Sequence, residues 1–170
     1  MTIRAYRSSD LREIVELFYD TVHTVNAGDY SPEQLDAWAD GAPDLAEWSR
    51  TLSEHAAFVA EEDGTVVGFG DIDSSGYLDR LYVHRDFQRR GVASALCVAL
   101  EGAVEAERFV THASITARPF FESMGYGVVR ERRVARHGVP MTNFRMEKRR
   151  SAQNACYRAE NAVAPQAETE

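Results

Sequence analysis

The chain has 170 residues, of which 44% are apolar and 27% charged; this is the length of about one domain and the composition of a folded chain rather than a disordered one. A formal charge of −8 argues against nucleic-acid binding over the whole surface, and two cysteines, Cys97 and Cys156, make neither a disulfide framework nor a four-thiolate zinc site. No window approaches the ~18 apolar residues of a membrane span, and MTIRAYRSSD lacks the apolar stretch of a signal peptide, so a cytoplasmic protein with no membrane partner is expected.

TIRAYR alternates as a short first strand. Asp10 with Glu13 three residues on reads as a capping box, and Leu11, Ile14, Val15, Phe18, Val22 and Val25 then recur on one helical face as far as Gly28. Ser31, Pro32 and Gln34 open a second helix that carries Leu35 and Trp38, and a third runs near Leu45 to Leu52. HAAFVAEE and TVVGFGDI flank Asp63-Gly64, a hairpin signal, and YLDRLYV continues the sheet after a turn at Ser74, Ser75 and Gly76. From Gly91 the pattern is helical, with Ala93, Leu96, Leu100 and Val104 on one side. FVTHAS is a short strand, TARPFFESMG a helix with Gly125 near its end, and GVVRERRVA and NFRMEK two closing strands about His137-Gly138. This order predicts one α+β domain over 1–150 around a central mixed sheet, followed by a flexible tail over 151–170.

Charge is uneven along the chain. Between Asp10 and Asp63 fourteen acids face two arginines, whereas Val128 to Arg150 holds eight bases and two acids. Surfaces of opposite sign follow. The arginines at 130, 132, 133 and 136 lack interleaved aromatic residues, so they do not read as an RNA-binding strand. His23, His55, His84, His112 and His137 show no metal-ligand spacing, and no metal site is expected. Cys97 reads as a small buried hydrophobe.

The chemistry concentrates in YLDRLYVHRDFQRRGVASALCVAL, residues 77–100. A strand runs into a polar loop, and a glycine then opens a helix. Helix N-termini present unpaired N–H groups and partial positive charge, so they bind anions. Gly91 lets a phosphate approach the main chain, Val92, Ala93 and Ser94 put nothing bulky in the way, and Arg89 and Arg90 add fixed charge. No G-x-x-x-x-G-K-[ST] or G-x-G-x-x-G run occurs, so the phosphate is a handle rather than the reacting group.

The order strand, QRRGVA, helix, strand, SITARPFFESMGY resembles the GCN5-related N-acetyltransferase (GNAT) superfamily, across about residues 2–148. Its pyrophosphate loop, Q/R-x-x-G-x-G/A, is met by Gln88, Arg89, Arg90, Gly91, Val92 and Ala93. Its downstream pattern is approached by Ser114, Ala117, Phe120, Phe121, Gly125 and Tyr126. SPEQLDAW, SITARPFFE and TNFRM are similar to the YafP-like branch. The resemblance implies a three-layer α/β arrangement with a mostly antiparallel sheet between helices, acetyl-CoA as cofactor, a small-molecule or peptide amine as acceptor, and a homodimer.

It also implies site roles. The main chain of Leu81, Tyr82 and Val83 pairs with the pantetheine arm, and an N–H there stabilises the oxyanion. An amine must lose a proton to attack, which calls for a base. On a regular strand Tyr77, Asp79 and Leu81 share a face, which sets Asp79 on a largely buried side; it serves as that base or merely anchors Arg80. Asp71 and Asp73 are weaker candidates. Phe121 stands where the superfamily often has a proton-donating tyrosine. Tyr77, then Tyr126, can replace it; otherwise the thiolate leaves unprotonated, or the protein is a non-catalytic acyl-CoA sensor. Ser114 stands for the usual asparagine and keeps a hydrogen bond to pantetheine within reach. Phe18, Tyr30, Trp38 and Trp48 can line an acceptor pocket in the first helices, whose acidity suggests a cationic acceptor.

Overall fold

The computed structural model describes residues 1–150, and the tail expected over 151–170 lies outside the described residues. Seven strands form one sheet: β1 (Thr2–Ala5), β2 (Ala56–Glu62), β3 (Thr65–Ile72), β4 (Tyr77–Val83), β5 (Arg108–Ser114), β6 (Gly127–Arg136) and β7 (Val139–Arg149). Their spatial order is β1-β2-β3-β4-β5-β7-β6, antiparallel throughout except between β4 and β5. Two-residue turns join β2 to β3 and β6 to β7. Both central residues of each have positive φ, at Asp63-Gly64 (52° and 79°) and His137-Gly138 (48° and 81°). That geometry matches strand twist and admits only such residue pairs readily.

Five helices cover the sheet: α1 (Leu11–Thr24), α2 (Pro32–Trp38), α3 (Leu45–Glu54), α4 (Val92–Ala103) and α5 (Arg118–Ser123). Alternation sorts the core to two faces. Ile14 and Leu17 of α1 pack on Val59, Val66 and Phe69. On the other face Cys97 and Leu100 of α4 and Phe121 of α5 pack on Ile72, Leu78, Phe109 and Met146. No helix of the described residues is long and apolar enough to cross a membrane.

The start of α2 follows its sequence: the Gln34 N–H donates to Ser31 Oγ, the Ser31 N–H donates back to Gln34 Oε1, and Pro32 occupies the first turn. The start of α1 does not. The expected capping box is absent because both acids are claimed elsewhere. Asp10 accepts two hydrogen bonds from Arg4, at 2.8 and 3.0 Å, and one from the Arg7 N–H, while Glu13 accepts the Val66 N–H. Arg4 beside it holds the Asp10 carboxyl below its ordinary range.

Two irregularities in β4 shape everything that follows. Against β3, Arg80 pairs with Asp71 and Leu78 with Ile72, so Asp79 is an extra residue, a bulge. Against β5, only Tyr77 and Leu78 pair, with Val110 and Thr111. β5 then runs with β7 up to Ser114 and Asn143. From Asp79 onward, β4 and β5 diverge.

Candidate active site

The divergence opens a cavity of about 700 Å³. Asp79 and residues 81–83 of β4 form one wall, and 112–114 of β5 with α5 form another. The loop into α4 closes one end, and Thr21, Val25, Asn26 and Trp38 close the α1–α2 side. Of the residues expected at the site, Asp79, Leu81, Tyr82, Val83, Gln88, Arg89, Gly91, Val92, Ala93, Ser94, Ser114, Ala117, Phe120 and Phe121 all line it. Arg90, Tyr77 and Tyr126 are not in its lining.

The loop is built to leave amides unfilled. Arg89 and Gly91 take φ of 60° and 80°, turning the chain sharply into α4, and no side chain caps that helix. A Cβ on Gly91 would meet open space. The first N–H groups of α4 therefore face a clear approach, with the positive end of the helix behind them. Gln88 braces the loop, its amide donating to the Val83 carbonyl at 2.6 Å. Arg90 is drawn aside, stacked over Phe87 and 3.8 Å from Glu62.

The exposed edge of β4 follows from alternation. The His84 N–H donates to Val67 of β3 at 2.9 Å. The N–H groups of Leu81 and Val83 therefore point to the opposite edge, into the gap, and that of Tyr82 points to β3. Tyr82 contributes its ring to the α1 face, against Phe18 and Phe69.

The bulge corrects the expected facing of Asp79. It does not share the Leu81 face on a buried side; its side chain is 38% exposed. Its carboxyl is nevertheless raised above the ordinary value, first by desolvation and then by the charge of Asp71. It meets Arg80 only in a long ion pair at 3.8 Å. That guanidinium donates to Asp71 at 2.7 and 3.0 Å and lies 4.6 Å over the Trp48 ring. Asp71 is fully buried and also meets His55 Nδ1 at 2.6 Å. His55, Asp71 and Asp79 come within 4.8 Å of one another, but the Arg80 guanidinium already satisfies the anion that would hold a metal there. Asp73 instead ties the turn before β4, accepting from Ser75 and the Tyr77 N–H.

Tyr77 hydrogen-bonds His112 Nδ1 at 3.1 Å, and burial with the Asp79 charge pushes its hydroxyl up to about 12. His112 lines the cavity. Desolvation and then Arg132, Arg145 and Arg130 hold its imidazole below the ordinary value, which keeps it neutral at pH 7. Read as a lone histidine, it gave no functional signal. Its alternation with Ser114 in FVTHAS was the available clue.

Tyr126 leaves the candidate set. It is buried, and its hydroxyl donates to Glu101 at 2.9 Å, where Lys148 donates to both oxygens at 2.7 and 2.9 Å. Cys97 joins this cluster, its thiol pushed up to about 12 by burial and therefore inert. Phe121 packs between Phe120 and Tyr126 at ring distances of 5.2 and 5.1 Å. Ser114 Oγ accepts the Ala117 N–H at 3.0 Å and keeps its own proton to donate.

The fold and cleft together define a sheet split beside an uncapped, unobstructed helix start, and comparison with known proteins agrees with that architecture. The acetyltransferase (GNAT) domain model matches residues 26–148. The uncharacterized N-acetyltransferase YafP of Escherichia coli (strain K12) is 38% identical over 146 residues, covering 85% of this chain and 93% of its own. A GCN5-related N-acetyltransferase from Rhodopseudomonas palustris superposes with a TM-score of 0.82 at 32% identity, over 87% of this chain and 94% of its own. PaiA N-acetyltransferase from Thermoplasma acidophilum, in complex with coenzyme A, shares the fold with a TM-score of 0.69 at 17% identity, over 88% and 100%. The chain belongs to the GNAT acetyltransferase family.

Proposed function

We propose that this protein transfers an acetyl group from acetyl-CoA to a primary amine by direct attack in a ternary complex. The observation that carries this reading is that the uncapped start of α4 and the unpaired edge of β4 open into one cavity. Both features suit a donor with a diphosphate at one end and an amide-bearing arm at the other, and the bound neighbour with coenzyme A supports it. When bound, acetyl-CoA supplies an acetyl group on a sulfur ester that a neutral amine attacks.

The chain's own groups divide the work. Amides of residues 89–94 and the Arg89 charge grip the diphosphate. The Leu81 and Val83 N–H groups pair with the arm, and one donates to the carbonyl oxygen as negative charge builds there. Ser114, Ala117, Phe120 and Phe121 flank the arm. Asp79, on the bulge at the mouth of the split, takes the proton of the acceptor amine, directly or through water. As the new C–N bond forms and the C–S bond breaks, the Tyr77–His112 pair returns a proton to the sulfur.

The test is thiol release from acetyl-CoA across an amine panel, run beside thermal stabilisation by coenzyme A. Turnover with at least one amine is expected, with stabilisation. Stabilisation without turnover on any amine overturns transfer in favour of an acyl-CoA sensor, the reading that Phe121 favours because it lacks a hydroxyl. No stabilisation at all rejects both.

A further inference from the structure

The β5–β7–β6 side of the sheet carries cations that acetyl transfer does not use. His112 of β5 pairs in register with Arg145 of β7, and Arg145 with Arg130 of β6. One step along, Ser114 pairs with Asn143, and Asn143 with Arg132. Residues in register share a face, with strands ~4.8 Å apart. Arg132 and Arg130 therefore lie two strands from Ser114 and His112, on the face from which both of those residues line the cavity.

The far end of the β6–β7 hairpin folds against the same space. Val134 and Met141 pack with Tyr82 and Trp38, two cavity residues. Arg132 and Arg136 flank Val134 at two residues each and share its face. Their charge is felt where the chemistry is, at Tyr77 from both arginines and at Asp79 from Arg136. Arg145 is already paired with Glu147 at 2.6 Å. Among the described residues, Arg132 and Arg136 have no carboxylate partner. Between them and the split, Asn143 keeps a buried side-chain oxygen with no donor.

The acidic first helices do not offset this. Asp10 is spent on Arg4, Asp20 on Arg85, and Glu47 and Glu54 on Arg50. What that region contributes to the cavity is Thr21, Val25, Asn26 and Trp38, all neutral. The expectation of a cationic acceptor therefore loses its basis. Asp79 lines the cleft, and the Arg132 and Arg136 guanidinium groups, outside its lining, act on Tyr77 and Asp79 from the β6 side.

We infer that the acceptor is a small amine carrying an anionic group, a carboxylate or a phosphoryl group, held by Arg132 and Arg136 while its nitrogen meets Asp79. The inference rests on the acetyl-transfer reading and names its second substrate by class.

The test compares kcat/KM for 4-aminobutyrate, 3-aminopropylphosphonate, butylamine and 1,4-diaminobutane with acetyl-CoA. At least one anionic amine is expected to exceed butylamine by about tenfold or more, the scale of one charge-assisted hydrogen bond. The first two compounds separate the carboxylate from the phosphoryl source. In Arg132→Gln/Arg136→Gln that ratio collapses towards unity, and Arg136→Lys retains most of it. A preference for the diamine, or an equal loss on every amine in the double variant, overturns the inference and leaves acetyl transfer standing. If no amine reacts, the transfer reading has failed, and binding of glutarate and inorganic phosphate to the coenzyme A-loaded protein decides the anion site. Affinity lowered in the double variant supports it, and unchanged affinity rejects it.

Discussion

The Thr111 hydroxyl donates to the Leu78 carbonyl at 2.9 Å, and the same two residues form the last register pair between β4 and β5. The next residue is Asp79, pushed out of the ladder by the bulge. The sheet thus opens at the point where a carboxylate is delivered. Bulges re-aim side chains in this way beside active sites.

Asp79→Asn should lower kcat about a hundredfold, the usual contribution of a general base, with the KM for acetyl-CoA little changed. Stability should move the other way. The Asp79 carboxyl is raised in the folded state, so the native protein binds more protons than the unfolded chain between the two pKa values. Its ionisation therefore costs stability as pH rises through that window. The variant should unfold at higher urea concentration than wild type at pH 7, the gap narrowing towards pH 4. Unchanged activity across the pH profile removes Asp79 from the mechanism.

Asp71 links stability to this carboxyl. Its fully buried charge is held by Arg80 and His55, so Asp71→Ala strands a guanidinium and should cost about 3 kcal/mol in urea unfolding. Asp71→Asn preserves the shape and removes the charge that helps raise Asp79. The acid limb of kcat/KM should then shift to lower pH. A limb that stays in place assigns it to some other group.

Gly91 tests the cofactor loop. Its φ of 80° lies in the left-handed region, while the space before it is open. Gly91→Gln should cost about 1 kcal/mol of stability through backbone strain. It should also abolish stabilisation by coenzyme A, because the side chain fills the approach to the amides. Gly91→Asn tolerates the left-handed conformation better and separates strain from obstruction. A coenzyme A-induced shift that survives in Gly91→Gln contradicts the loop as the diphosphate site.

What could be read from the sequence was what is local. Asp63-Gly64 and His137-Gly138 specify their turns by backbone chemistry, and Gln88 to Ser94 specify a helix start stripped of bulk. Asp10 misled because its partner Arg4 reaches it through tertiary packing with Glu61, not through the helix it precedes. The facing of Asp79 was hidden for a different reason: nothing in YLDRLYV marks a bulge, and one extra residue inverts the strand's parity. The charges around His112 were hidden because they belong to a three-strand register that no single segment contains.

Tyr126 separates a structural tyrosine from a catalytic one. Its hydroxyl is one of several groups on Glu101, which is 1% exposed, and Lys148 neutralises that carboxylate. Tyr126→Phe removes a single donor from an acid that keeps its lysine, so it should cost about 1 kcal/mol in urea unfolding. Lys148→Met removes the cation that donates to both Glu101 oxygens and should cost about 3 kcal/mol. The order of the two matters more than either size, because a cluster that only braces α4 against β7 must depend on the cation first. In the same Tyr126→Phe protein kcat should be unchanged. A kcat that falls while stability holds would instead return this hydroxyl to the reaction and displace the Tyr77–His112 pair from the sulfur.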